Sequence, residues 1–136
     1  FVPGGNSMWP TLKNRGQSVI VQLKREKLKK FDVAFYQRQS GAFVLHRVVE
    51  PTENGYNIIG DSQFEIESVK EEQVFGVMSG FYRGKKYIEV TDQKYIEEVE
   101  KWFKRKRWRR FRLRIFHFTL RVKNKLKRIF CSMEVK

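Results

Sequence analysis

The sequence predicts a mainly β protein: a small antiparallel β domain over residues 1–90, followed by a basic amphipathic helical tail over 91–136. Three observations carry this. Short β-branched and aromatic runs recur between turn signals through the first ninety residues, at the close spacing of hairpin-linked strands. Near residue 91 the apolar pattern changes to a helical period. The charge is also divided. Residues 1–100 carry 14 Lys/Arg and 14 Asp/Glu, whereas 101–136 carry 15 Lys/Arg and a single acid, Glu134, so the whole net charge of +14 lies in the tail.

Six strands are expected in order: "SVIVQL" (18–23), "DVAFY" (32–36), "AFVLHRVV" (42–49), "YNIIG" (56–60), "VFGVMSGFY" (74–82) and "KYIEV" (86–90). Turns fall at "QSG" (39–41), "ENG" (53–55) and "RGK" (83–85), and "GFYRGKKYIEV" reads as one hairpin. Thr91-Asp92 supplies a helix cap, and acids precede bases after it, the order that the helix dipole favours. Tyr95, Val99, Trp102 and Phe103 fit one helical face. Trp108, Phe111, Ile115, Phe118, Val122, Leu126 and Ile129 follow at steps of three and four and form an apolar stripe, with Lys and Arg on the other face.

With 136 residues the chain has room for one core and little more. It opens on Phe1, and the apolar start is read as the edge of a processed or truncated product with a segment upstream. No apolar run reaches the roughly 18 residues of a membrane span, and no signal-peptide pattern is present. The single Cys131 excludes an internal disulfide and a cysteine-based zinc site. No metal site and no cofactor are expected.

The stretch "GGNSMWPTL" (4–12) sets Ser7 in a glycine-rich turn just before Pro10. A serine hydroxyl is a weak nucleophile unless a positioned base accompanies it. His117 lies in the basic helix and is a poor candidate. His46 lies in "VLHRVV", where strand alternation puts it on one face with Val44 and Val48. Such a histidine is either a buried ring satisfied by the backbone or a general base. A base also needs an acceptor to fix its tautomer. "GDSQFEIES" (60–68) offers two, Asp61 and Glu67, although an aspartate after glycine is also an ordinary turn residue.

Taken in order, "GNSMWPTL" (5–12), "FDVAFY" (31–36), "LHRVV" (45–49) and "IIGDSQ" (58–63), continuing through "VFGVMSGFY", resemble the type I signal peptidases. These share an all-β catalytic fold with the LexA-like self-cleaving repressors. The resemblance spans about residues 4–82, leaves the tail outside, and is nearest to small stand-alone bacterial members. It implies a serine endopeptidase with Ser7 as nucleophile. At the position of the lysine base of many bacterial members stands His46, which resembles the endoplasmic-reticulum type with its Ser-His-acid site. Glu67 matches that type's acid by its spacing from Asp61, and Asp61 matches the family's other acid; the two rank nearly level as the histidine's orienter. Met8 and Pro10 are expected beside the substrate, an extended peptide or protein segment. One position departs from the pattern: Gly5 stands where relatives often have a serine that assists the oxyanion hole.

The tail has three readings. A basic amphipathic helix with Trp and Phe on its apolar face suits the plane of an anionic membrane, with Trp108, Arg109, Arg110, Arg112 and Arg114 as contacts. The same charges also suit nucleic-acid phosphates, which rank lower. The third reading is a helix docked by its aromatic stripe. A membrane-associated peptidase is therefore expected. The side of the membrane stays open, because basic segments favour the cytoplasmic side whereas signal peptidases act on the other. The alternatives are an inactive module of the same fold that binds lipid or a partner through the tail, and a nucleic-acid-binding regulator.

Overall fold

The computed structural model describes residues 4–13 and 17–134, and of 106, 107 and 134 the backbone only. The apolar opening at Phe1 and the last two residues of the tail lie outside the described residues.

Among the described residues seven strands build one antiparallel sheet: β1 (Val19–Leu23), β2 (Val33–Gln37), β3 (Phe43–Pro51), β4 (Gly55–Ile59), β5 (Glu67–Lys70), β6 (Val74–Arg83) and β7 (Lys86–Glu89). Their order is β1-β6-β2-β3-β4-β5, with β7 also paired to β6. The long β6 serves three partners. β1 runs along one edge, while β2 pairs its first half and β7 its second half. The six expected strands stand within two residues of their expected limits, and β6–β7 is a hairpin that turns at Gly84, whose φ of 61° suits glycine.

The seventh strand, β5, was not expected. "ESVK" is short and charged, and only Val69 of it is buried. Pairing with β4 makes it a strand: Glu67 lies opposite Ile58 and Val69 opposite Tyr56. This registers Glu67 on the sheet and not in a loop.

The two faces of the sheet differ. One packs Leu28, Ala34, Tyr36, Val48, Tyr56, Ile58, Val69 and Val74 into an apolar cluster. On the other, Arg47 is fully buried and its guanidinium organises a polar centre. It donates to both oxygens of Asp61 at 2.7 and 2.8 Å, to the Tyr95 hydroxyl at 3.1 Å and to the Phe31 carbonyl at 2.8 Å. Phe31 has a φ of 75°, a conformation that costs a non-glycine residue on the order of 1–3 kcal/mol. Its N–H and the Val48 N–H close a pair of bonds that hold this corner, Phe31 N to Val48 O and Val48 N to Asp32 O.

Two helices follow, α1 (Gln93–Lys104) and α2 (Lys106–Glu134), broken at Arg105. Asp92 caps α1, accepting a hydrogen bond from the Tyr95 N–H at 3.1 Å. The chain divides into two compact units, and the β unit runs to Val99, past the expected boundary at 90. Burial of Tyr95 and Val99 explains this: the first turns of α1 contribute side chains to the β unit. The second unit, from Glu100 onward, consists of the rest of α1 and the 29 residues of α2.

Candidate active site

The nucleophile candidate sits on a loop that the sequence makes tight. Trp9 N–H bonds to the Asn6 carbonyl at 3.1 Å and Leu12 N–H to the Met8 carbonyl at 3.0 Å. Met8 and Leu12 are buried and pin the loop, and the Trp9–Pro10 peptide is cis. Gly5 adopts a φ of 115°, where a side chain is disfavoured. This gives a local reason for glycine at the position where the family resemblance anticipates serine.

The "GDS" segment holds the loop from the other side. Ser62 N–H donates to the Ser7 carbonyl at 3.0 Å, and Ser62 Oγ donates to the Asn6 carbonyl at 2.7 Å. Gly60 allows this approach, since a Cβ there would stand 2.7 Å from the Ser7 carbonyl oxygen. Asp61 is anchored in turn by Arg47, and Thr11 donates to Asp61 Oδ2 at 2.5 Å. A chain of contacts thus runs from the buried Arg47 through 60–62 to the backbone of Ser7.

Ser7 and His46 line one cleft of about 260 Å³, together with Gly5, Met8, Arg38 and Phe43. Pro10, expected beside the substrate, is not among the lining residues. Among the described residues no hydrogen bond joins the Ser7 hydroxyl to His46. Catalytic hydrogen bonds often close only once substrate is bound, so the shared cleft is the relevant geometry.

His46 lies opposite Ala34 across β2 and β3 and is 3% exposed. Burial, with Arg38 nearby, pushes its pKa down from 6.5 to about 4, against the upward pull of Glu67 and Asp61. The ring is therefore neutral at pH 7 and available as a base. Behind it stands Tyr36, with its Oη 3.3 Å from His46 Nδ1. The same hydroxyl donates to Glu67 Oε2 at 2.6 Å. Arg38 grips Glu67 with two prongs, Nε to Oε1 at 2.9 Å and Nη2 to Oε2 at 3.0 Å. Burial raises the Glu67 pKa, but the bonds from Arg38 and Tyr36 outweigh it, and the carboxyl ends below the usual carboxylate range.

The expectation that Asp61 and Glu67 compete to orient His46 directly is corrected here. Asp61 is bound by Arg47 and Thr11 on the opposite face of β3, because neighbouring residues on a strand point to opposite sides. Glu67 lies on the His46 side but reaches it through Tyr36. Tyr36, Arg38 and Arg47 were not singled out from the sequence as site residues. A signal for Tyr36 existed: a tyrosine in a strand's apolar pattern carries a hydroxyl that needs a partner when buried.

In the helical unit, Trp108, Phe111, Ile115, Phe118, Val122, Leu126 and Ile129 are all exposed, as are Phe130 and Met133. Trp108 and Phe111 stack at 5.8 Å. Arg110, Arg112 and Arg114 are exposed. Arg109 is not: it is 9% exposed, with its guanidinium 5.9 Å from the Trp102 ring and 5.1 Å from the Phe103 ring. Its expected role as a surface contact is thereby corrected, because cation–π packing takes the charge inward. No helix among the described residues is long and apolar enough to cross a membrane.

Comparison of the chain with protein-family models, curated proteins and solved structures returned no match.

Proposed function

We propose that the chain is a serine endopeptidase of the signal-peptidase type, acting on extended peptide segments at a membrane surface. The observation that supports this reading is that Ser7 and His46 open onto one cleft, with a hydroxyl and a carboxylate stacked behind the imidazole. His46, neutral at pH 7, takes the Ser7 proton as substrate closes the contact. Ser7 Oγ attacks the peptide carbonyl, the amine leaves with the proton from His46, and water resolves the acyl-enzyme. Gly5 carries no hydroxyl, so the oxyanion is met by the Ser7 backbone N–H together with another donor of the cleft. A peptide added as an extended strand brings its carbonyl to such a cleft by main-chain hydrogen bonds.

The test is hydrolysis of an internally quenched peptide with alanine on the amino side of the scissile bond. Ser7→Ala is expected to abolish cleavage while the circular dichroism spectrum stays that of the parent. Undiminished cleavage by Ser7→Ala overturns the enzyme reading.

The membrane half of the proposal is supported by α2. An apolar stripe exposed along a helix of 29 residues, flanked by arginine and lysine, matches an in-plane interfacial helix. Near an anionic surface each such charge contributes about 1 kcal/mol before screening. With Trp9 and Trp102 replaced by phenylalanine, Trp108 fluorescence is expected to shift to the blue with vesicles containing phosphatidylserine, and the shift to weaken with salt and with Phe111→Ser. Equal binding to uncharged vesicles rules out the electrostatic contribution, and binding to neither rules the surface reading out.

A further inference from the structure

We propose that Tyr36 is the positioning residue for His46: its hydroxyl, and not a carboxylate, holds Nδ1 and so leaves Nε2 as the basic nitrogen. This deepens the endopeptidase reading and rests on it.

Proton bookkeeping at three groups leads there. A tyrosine hydroxyl has one proton to donate and lone pairs to accept with. Tyr36 Oη stands 2.6 Å from Glu67 Oε2 and 3.3 Å from His46 Nδ1. Glu67, doubly bonded by Arg38, is an ionised acceptor and has no proton to give. The single Tyr36 proton therefore goes to Glu67, the nearer and charged partner. Burial, followed by Glu67, raises the Tyr36 pKa far above neutral, so this proton stays on oxygen throughout. What Tyr36 has left for His46 is a lone pair. The contact is a hydrogen bond only if Nδ1 carries the hydrogen, and a neutral imidazole with Nδ1–H has its free pair on Nε2.

Tyr36 is rigid enough for this task. It is fully buried, part of the apolar cluster, and held in β2, whose register with β3 sets Ala34 against His46 and Tyr36 against Val44. In the reaction the Ser7 Oγ–H bond breaks and an Nε2–H bond forms. Tyr36 and Glu67 keep their protonation states. The imidazolium donates more strongly to an oxygen already polarised toward a carboxylate, and Arg38 fixes that carboxylate at the far end. The arrangement is a Ser-His-acid site with a tyrosine inserted before the acid.

The experiment uses the full chain labelled with ¹⁵N-histidine, and reads the imidazole tautomer from two-bond ¹H–¹⁵N correlations, with His117→Gln to assign the second ring. The expected parent spectrum is that of the Nδ1–H tautomer at His46. Tyr36→Phe, which removes one oxygen from the core, is expected to raise the Nε2–H fraction. It should lower kcat on the quenched peptide roughly 10- to 100-fold, the worth of one hydrogen bond to a developing charge, with KM unchanged. Glu67→Gln, which leaves the core ring in place, is expected to shift the tautomer in the same direction and decides the matter if Tyr36→Phe does not fold. An Nε2–H tautomer in the parent, or an unchanged tautomer and kcat in Tyr36→Phe, overturns the inference while leaving Ser7→Ala to judge the peptidase reading. If the parent cleaves nothing, the peptidase reading fails, and the parent tautomer still decides whether Tyr36 orients His46.

Discussion

Replacing Arg47 by methionine is expected to be the most damaging single change near the site, although Arg47 does not line the cleft. Its side chain is fully buried and donates to Asp61, Tyr95, Phe31 and Thr11. Methionine fills much of the volume but supplies none of these bonds. The Asp61 carboxylate, 1% exposed, then loses both guanidinium bonds and the buried positive charge beside it. Breaking one side of a buried pair in this way costs about 3–5 kcal/mol. The strained Phe31 also loses the donor on its carbonyl. For a chain of this size that cost lowers Tm by roughly 10–25 °C. The assay is urea unfolding followed by circular dichroism, supported by thermal melts, on Arg47→Met, Asp61→Leu and the double variant. Removing both charges leaves no buried carboxylate deprived of its arginine, so the double variant is expected to be more stable than Arg47→Met alone, a non-additivity well above a few tenths of a kcal/mol. If Arg47→Met lies within about 1 kcal/mol of the parent, or the two single costs simply add, the argument that a desolvated ion pair anchors the 60–62 segment is wrong.

Gly60→Ala is expected to cost about 1–3 kcal/mol and to depress peptide hydrolysis further than stability loss explains. The new Cβ meets the Ser7 carbonyl at 2.7 Å and must push the nucleophile loop, whereas the nearby Gln63 side chain can move aside; parent-like hydrolysis refutes this coupling. His46 sets a pH dependence whose sign follows from its lowered pKa, 6.5 falling to about 4. Its stabilising effect is complete above 6.5 and is lost as pH falls toward 4, where the unfolded chain takes up a proton that the folded one refuses. The loss approaches about 3 kcal/mol. Glu67, also lowered, acts in the same direction at lower pH. Urea midpoints from pH 7.5 to 4 should show this slope, flattened at its upper end in His46→Gln. For the same reason kcat/KM should hold down to about pH 5 and fall below it, and an apparent pKa near 6.5 would show that the ring is not desolvated.

Much of the β unit was legible because strands and turns write local periodicity into the chain. "AFVLHRVV" is rich in β-branched and aromatic residues between turn signals, "RGK" supplies a glycine for positive φ, and Asp92 stands three residues before the N–H that it caps. Ser7 and His46 were candidates through the ordered motifs that resemble the signal peptidases, since residue type and local setting alone left a solvated turn serine and a buried histidine as open readings. β5 was not legible, because "ESVK" is a strand by virtue of the Tyr56 edge it pairs with. Nor was the boundary at Val99, which depends on what Tyr95 and Val99 bury against.

Six of the seven strands, the helical character of the tail and the split of charge between body and tail follow from neighbours within a few positions, whereas Ser7 and His46 were paired as candidates by a resemblance spread over residues 4–82. Which carboxylate lies near which basic side chain depends on the tertiary structure. Asp61 and Glu67 are six residues apart and chemically alike, yet β3 sends Arg47 to one face and His46 to the other. One carboxylate is bound to the arginine and the other reaches the histidine across Tyr36. It also decided that Arg109 turns inward onto Trp102 and Phe103 while Arg110 faces water. Pairings of this kind are fixed by the register and rotation of whole elements, and no single segment of the chain contains that information.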